Sequence, residues 1–321
     1  PRAKLIVHDM DTVLGLGDHP NGTDDSIFRA ADPVHLPVIE RFLEHPDFVP
    51  LYYAQLKELC ETVFSPEQFD PVVDKVLGGF VSPGVVYAVK QFAVNRVANV
   101  LTQIPLELTA TSSLSTSGGF YYTTTNSGDV TGYSDAINTR SVRVNGLLAD
   151  WTPFGAQYSF DISTSGLTLN PGINRLKVQA YADPDGTGEE IDHEFIDIWY
   201  DTGTPTVFAG GTLASNTLFD LASSPWRVTG SITIPSGITL TIEPGTTVYF
   251  DSGTGITVNG RLFAEGTEFQ RIRLSRVPNS GASWDGLIFQ NSLEDSRLSY
   301  LDMSYGDNRG DSILIEYSQV L

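Results

Sequence analysis

A single cysteine, Cys60, stands among the 321 residues. No disulfide framework can therefore form within this chain, and the helical pattern around Cys60 points to a packing role. Basic residues are also scarce: 19 Lys and Arg face 39 Asp and Glu, a formal net charge of −20. Such an acidic balance argues against nucleic acid and anionic membranes as partners and favours solubility. No apolar run reaches the length of a membrane-spanning helix, so no membrane insertion is expected in this segment. No signal peptide is recognisable, although the first residue is Pro1 rather than Met, which suggests a truncated reading frame or an excised segment. The five histidines, His8, His19, His35, His45 and His193, show no zinc spacing. Nucleophile-elbow, P-loop and dinucleotide fingerprints are missing too.

What is present is an α+β and all-β composition in three stretches, read as separate domains: 1–105, 106–204 and 205–321. From Val34 to Gln103, apolar residues recur at helical spacing, as in Phe48, Leu51, Tyr52, Leu56, Leu59 and Val63. Ser65-Pro66-Glu67-Gln68 reads as an N-cap with Pro at the first helical position and a capping-box Gln, with Phe64 and Phe69 as a hydrophobic staple. Ser82-Pro83 is a second start of the same kind, and Gly78-Gly79 ends the helix before it.

After Pro105 the pattern changes to short strands rich in Thr, Ser and Tyr. Ser141-Val142-Arg143-Val144-Asn145-Gly146 is a strand ending in a hairpin-type turn, and Leu169 to Ala180 is a turn feeding an alternating strand. Regular turn signals over about a hundred residues suggest a β-sandwich. Trp151 and Tyr158 then serve as core or strand-edge aromatics. Within the same stretch, Asp183-Pro184-Asp185-Gly186-Thr187-Gly188 allows two readings. Asp183 and Asp185 are candidate Ca²⁺ ligands, because that ion takes six to eight oxygens in flexible geometry. The alternative is a hairpin turn with a solvated acidic edge, and the spacing is not that of an EF-hand.

From about Thr206 the sequence repeats itself. Gly230 to Pro235, Gly237 to Phe250, Gly255 to Gly266 and Trp284 to Phe289 are short alternating strands between glycine turns. Each unit is too short to bury its apolar face alone, so the units must stack. The acidic residues Asp285, Glu294, Asp295, Asp302, Asp307 and Asp311 fall mostly in turns, where charge is expected on a soluble repeat.

The candidate catalytic chemistry lies at the start. Lys4-Leu5-Ile6-Val7-His8-Asp9-Met10-Asp11 is an apolar, strand-like run with carboxylates at alternate positions, so Asp9 and Asp11 share one strand face. Two hard oxygen ligands before Gly15 and Gly17 suit a Mg²⁺ carried by nucleotide phosphates. A solvated strand end gives the same pattern.

Three resemblances to known families follow from these residues. His8-Asp9-Met10-Asp11-Thr12-Val13-Leu14-Gly15 resembles the Trp-Asp-x-Asp-x-Thr-Phe-Gly segment of the CotH (spore-coat protein H) family of atypical protein kinases, with His8 in the Trp position. Ile39 to Phe48 and Tyr52 to Leu56 resemble that family's C-terminal lobe. The resemblance implies that Asp9 is a Mg²⁺ ligand, that Asp11 lies beside it, that ATP is the cofactor, and that a coat or envelope protein is the acceptor. It also implies that the glycine-rich loop, the phosphate-binding Lys and the catalytic Asp lie upstream of Pro1, so this fragment is expected to be inactive on its own. The second stretch resembles the immunoglobulin-like modules of bacterial surface proteins. The third resembles the opening coils of a right-handed parallel β-helix, cut at Leu321. Three functions are compatible with these features: an atypical Ser/Thr kinase within a large secreted or surface bacterial protein, a cell-surface adhesion or scaffold protein with a degenerate kinase-like lobe, and a carbohydrate-active β-helix protein. Surface polysaccharide or partner proteins are the expected partners of the scaffold, and polysaccharide that of the carbohydrate-active protein.

Overall fold

The computed structural model describes residues 22–29, 37–281, 283–307, 313–316 and 320–321. The fold is mixed α+β with mostly β content. It forms two compact units: residues 1–108 with 133–140 and 151–158, and residues 109–132, 141–150 and 159–321.

The first unit is built on four helices, α1 (Pro37–Leu43), α2 (Val49–Glu61), α3 (Pro66–Leu77) and α4 (Pro83–Thr102). Ser65 and Ser82 are the N-caps of α3 and α4, each followed by Pro at the first turn. Neither serine side chain makes a capping hydrogen bond, so the helix starts rest on proline's preset φ rather than on the capping box expected at Gln68. The Phe64 and Phe69 rings lie 5.5 Å apart, as a staple requires. Val49, Tyr53 and Cys60 of α2 bury against Val100 and Ile104, and Ile137, Trp151, Phe154 and Ala156 complete this core. The Tyr53 hydroxyl accepts a hydrogen bond from the Gly155 amide at 3.0 Å. Cys60 is a free, buried cysteine whose thiol is pushed up by burial.

The second unit combines a six-stranded sheet with three parallel sheets. In spatial order the six strands are Thr116–Ser117, Phe120–Thr123, Glu190–Tyr200, Gly172–Tyr181, Ser141–Val144 and Leu147–Leu148. Phe120–Thr123 runs parallel to Glu190–Tyr200, and the other neighbours are antiparallel. Asn145 and Gly146 take φ of 47° and 78° and turn Ser141–Val144 back onto Leu147–Leu148, the conformation that favours Asn-Gly in tight hairpins.

Beyond residue 205 the chain cycles through three sheets in fixed order. One holds Thr206–Phe208, Trp226–Val228, Thr247–Phe250, Ile272–Arg276 and Leu301–Met303. The second holds Gly211–Thr212, Ile232–Ile234, Gly255–Val258, Gly286–Gln290 and Ile313–Glu316, and the third Thr217–Phe219, Thr239–Ile242, Arg261–Glu265 and Arg297–Ser299. Among the described residues, every strand that has a successor one cycle later pairs with it in parallel. Alternate residues such as Ile232 and Ile234, Leu240 and Ile242, and Val248 and Phe250 fill a common core, as a period of two requires. Aromatics stack inside it: Phe219 on Trp226 at 4.5 Å and Phe250 on Trp284 at 4.2 Å.

The first parallel sheet breaks the alternation. All four residues of Thr247–Phe250 are buried, as are Ile272 to Ser275. Val248, Phe250, Ile272 and Leu274 face the common core, whereas the other face meets the six-stranded sheet, where Tyr249 packs with Phe120, Ile173 and Trp199.

Candidate functional site

The Asp9 and Asp11 pair lies outside the described residues, as does Asp311. Asp183 and Asp185 sit in the loop joining Gly172–Tyr181 to Glu190–Tyr200, two strands paired antiparallel as a hairpin. The Arg143 guanidinium donates to the Asp185 carbonyl at 2.9 Å, and the Gly186 amide donates to the Ser141 hydroxyl at 2.8 Å. A fixed positive charge thus occupies the inside of the turn, which opposes a divalent cation there. Among the described residues no group of three or more His, Cys, Asp or Glu comes together to hold a metal.

The acidic residues of the repeat are dispersed. Glu294 pairs with Arg261 at 2.9 Å and accepts from the Gly237 amide at 3.1 Å. Among the described ones, Asp302 enters a larger constellation, which no local pattern had marked. It lies at the junction between the six-stranded sheet and the first parallel sheet.

Three arginines and two aspartates build this junction. Arg175 and Asp197 face each other on neighbouring strands of the six-stranded sheet, and Arg271, Arg273 and Asp302 come from the first parallel sheet and its approach. Arg175 donates to both Asp197 oxygens, Nε at 2.8 Å and Nη2 at 2.9 Å, and through Nη1 to Asp302 at 3.0 Å. Arg271 forms a second fork on Asp302, Nε at 2.7 Å and Nη2 at 2.9 Å. Arg273 reaches Asp197 and the Ser304 hydroxyl, each at 3.4 Å. Fork geometry of this kind is the strong form of carboxylate recognition. Burial pushes the Asp302 carboxyl up, but the Arg271 hydrogen bonds and the charges of Arg175, Arg271 and Arg273 outweigh it and hold the group below the usual carboxylate range. The bond to Asp197 raises Arg175, whereas burial lowers Arg273. Aromatic faces complete the cluster: Phe195 lies under both Arg175 and Arg271 at 5.6 and 5.7 Å, and Phe120 under Arg273 at 5.6 Å.

Backbone contacts lock the same junction. Thr247 Oγ1 accepts from the Ile173 amide at 3.0 Å, and the Ser224 hydroxyl donates to the Pro171 carbonyl at 2.9 Å. Gly172, at φ 114°, lies so close that a Cβ there would fall 2.4 Å from Thr247. Asn145 Nδ2 donates to the Phe269 carbonyl at 3.2 Å, and Lys177 pairs with Glu268 at 2.8 Å.

Beside the arginines lies a half-open cavity of about 370 Å³. Its walls come from the 145–147 turn, the loop 166–170, the strand start 173–176, Gly245 and residues 269–271. That volume falls in the small-molecule range. The lining is rich in amides, with Arg175 and Arg271 as its charged members. The strand from Leu169 to Ala180 was legible as a strand, but its role as the wall of a cavity depends on residues more than seventy positions away.

No family model matches the chain, and no solved structure matches it. Over 75 residues, 23% of the chain, it is 36% identical to the protein called Protein bark beetle of Drosophila melanogaster, and the match covers 2% of that protein. So short a share of the longer protein assigns neither a family nor an activity to this chain. No helix among the described residues is long and apolar enough to cross a membrane.

Proposed function

We propose that the chain is part of a large extracellular or cell-surface protein, and that residues 109–132, 141–150 and 159–321 act there as a rigid scaffold that binds surface polysaccharide. In this reading the six-stranded sheet belongs to an immunoglobulin-like module and the three parallel sheets to a right-handed parallel β-helix. The observation that carries the proposal is the junction itself. Five charged side chains, a buried aromatic cluster and paired backbone contacts join the two parts, and a small-molecule-sized cavity lies beside them. Catalysis would require carboxylates to converge on one face, as in glycoside cleavage. Glu294 and Asp302 are instead each held by arginine. Retention of the intact chain on a panel of immobilised acidic and neutral polysaccharides tests the proposal. Saturable retention on at least one of them is expected, and passage through all of them at millimolar sugar-unit concentration would overturn it.

A second reading is favoured by one sequence feature, the Asp9-Met10-Asp11 pair ahead of a helical region. There the parent protein carries a CotH-like kinase domain, Asp9 and Asp11 belong to a Mg²⁺-ATP site, and a coat or envelope protein is the acceptor. The four helices α1 to α4 agree with a helical lobe in that position. Calorimetry on a version extended at its N-terminus decides it. Mg²⁺-dependent ATP binding abolished by Asp9→Asn supports a nucleotide site, and absence of binding by the folded extended protein removes the kinase.

A further inference from the structure

The cavity has unequal walls, and the inequality defines what fits. Asn145 and Asn174 face it but are already bonded: Asn145 accepts from the Lys177 amide and donates to the Phe269 carbonyl, and Asn174 bridges the Asn170 amide and carbonyl. These two shape the wall. Asn170 differs, since its own side-chain amide makes no hydrogen bond with any described residue, and Gly245 makes room for it. A Cβ at position 245 would fall 2.5 Å from Asn170 Nδ2. The hydroxyl of Thr168 and the amide of Gln270 are likewise unbonded by described residues and exposed. Arg271 uses Nε and Nη2 on Asp302, and its Nη1 has no hydrogen-bond partner among the described residues. Phe269 adds an exposed aromatic face.

Charge narrows the class further. Three guanidiniums, those of Arg175, Arg271 and Arg273, share two carboxylates, Asp197 and Asp302, which leaves one positive charge in excess. The neighbouring Lys177 meets two carboxylates, Glu190 and Glu268, so that this second group carries one negative charge and balances the first over the wider surface. What discriminates is therefore local: Arg271, the charged side chain of the lining with a guanidinium nitrogen left open by the described residues, favours an anionic group over a cationic one.

We propose that this cavity binds one acidic sugar unit, a pyranose ring bearing a carboxylate. Arg271 Nη1 receives the carboxylate, Asn170, Gln270 and Thr168 serve the ring hydroxyls, and Phe269 covers the apolar C–H face. Guanidinium is the natural partner of a carboxylate. Amides offer donor and acceptor together, as a hydroxyl needs. The volume, near the lower end for small-ligand sites, suits one ring rather than an extended chain in full contact. This assignment rests on the polysaccharide-binding reading and names its ligand and its site.

The test is calorimetric titration of the intact chain with a trisaccharide of uronic acid units and with its carboxyl-reduced, neutral counterpart. The acidic trisaccharide is expected to bind at least tenfold more tightly. Asn170→Asp preserves shape and places a negative charge against the ligand, so it should weaken the acidic trisaccharide at least tenfold while the melting temperature stays unchanged. Phe269→Ala should weaken both sugars. Equal affinity for the two trisaccharides, or displacement of the acidic one by glutamate or inorganic phosphate at equal concentration, would overturn the sugar assignment. Polysaccharide retention unchanged by Asn170→Asp and by Phe269→Ala would place binding elsewhere and leave the broader reading standing. Absence of retention on every polysaccharide removes both.

Discussion

Asp302→Asn is the sharpest probe of the junction, because it keeps the side chain's shape and removes the charge that two guanidiniums share. Asp302 is 8% exposed and accepts three hydrogen bonds, two from Arg271 and one from Arg175. Removing one partner of a fully buried pair costs about 3–5 kcal/mol, since it strands the other charge. Here the stranded arginines keep contact with solvent, Arg175 at 30% and Arg271 at 20% of their side-chain surface, which lowers the expectation to about 2 kcal/mol. For a unit of about 200 residues this corresponds to a fall in melting temperature of roughly 4–8 °C. Tryptophan fluorescence is a suitable monitor, because Trp199, Trp226 and Trp284 belong to this unit and only Trp151 to the other.

The pH dependence gives an independent check. The Asp302 carboxyl lies below its ordinary value in the folded chain. Its contribution is therefore fully present above the unfolded carboxylate pKa, about 3.9, and is lost as pH falls through the lower folded value. The wild-type melting temperature should fall towards the variant's as pH drops below about 4, so that the gap between them narrows. A variant within 1 °C of wild type at pH 7, or a gap that stays constant down to pH 2.5, would refute the view that this network holds the two sheets together.

Three other outcomes are expected. Trp284→Ala removes a fully buried ring stacked on Phe250 and the hydrogen bond its Nε1 donates to the Ser304 carbonyl; chemical denaturation should show a loss of about 3–5 kcal/mol. Gly172→Ala combines a left-handed φ of 114° with a Cβ 2.4 Å from Thr247, so a loss of at least 1–3 kcal/mol is expected by the same measurement, and a neutral result would mean that the sheets are not in such close approach. Cys60, buried and with its thiol pushed up, should react with an aromatic disulfide reagent at least a hundredfold more slowly in the native chain than in denaturant, and equal rates would place it at the surface.

Much of the local structure was written locally. Ser-Pro pairs at 65 and 82 announced two helix starts through proline's fixed φ, Asn145-Gly146 announced a hairpin, and the glycine-punctuated runs after Thr206 announced stacked short strands. The capping box was the local expectation that did not form: the serines stand at the caps without bonding there. Asp183 and Asp185 were open to two local readings, calcium donors or a hairpin turn, and they stand in a hairpin loop with the Arg143 guanidinium against it.

The candidate site was not legible in this way. Arg175 and Asp302 are 127 positions apart; Arg175 looks like an ordinary charge on an alternating strand, and Asp302, grouped by its sequence with turn carboxylates, lies in the strand Leu301–Met303. Trp151 reads as a core or strand-edge aromatic of a sandwich, yet its apolar surface completes the core of α2 and α4. Likewise Tyr249 and Arg273 occupy the outward phase of their strands, and only the covering sheet turns that phase into an interior. By itself the sequence determined the elements, because caps, turns and periodicity act within a few residues. Which surfaces became interior, and which charges met beside a cavity, was decided by tertiary packing alone, because pairing across more than a hundred residues leaves no mark in either strand's own pattern.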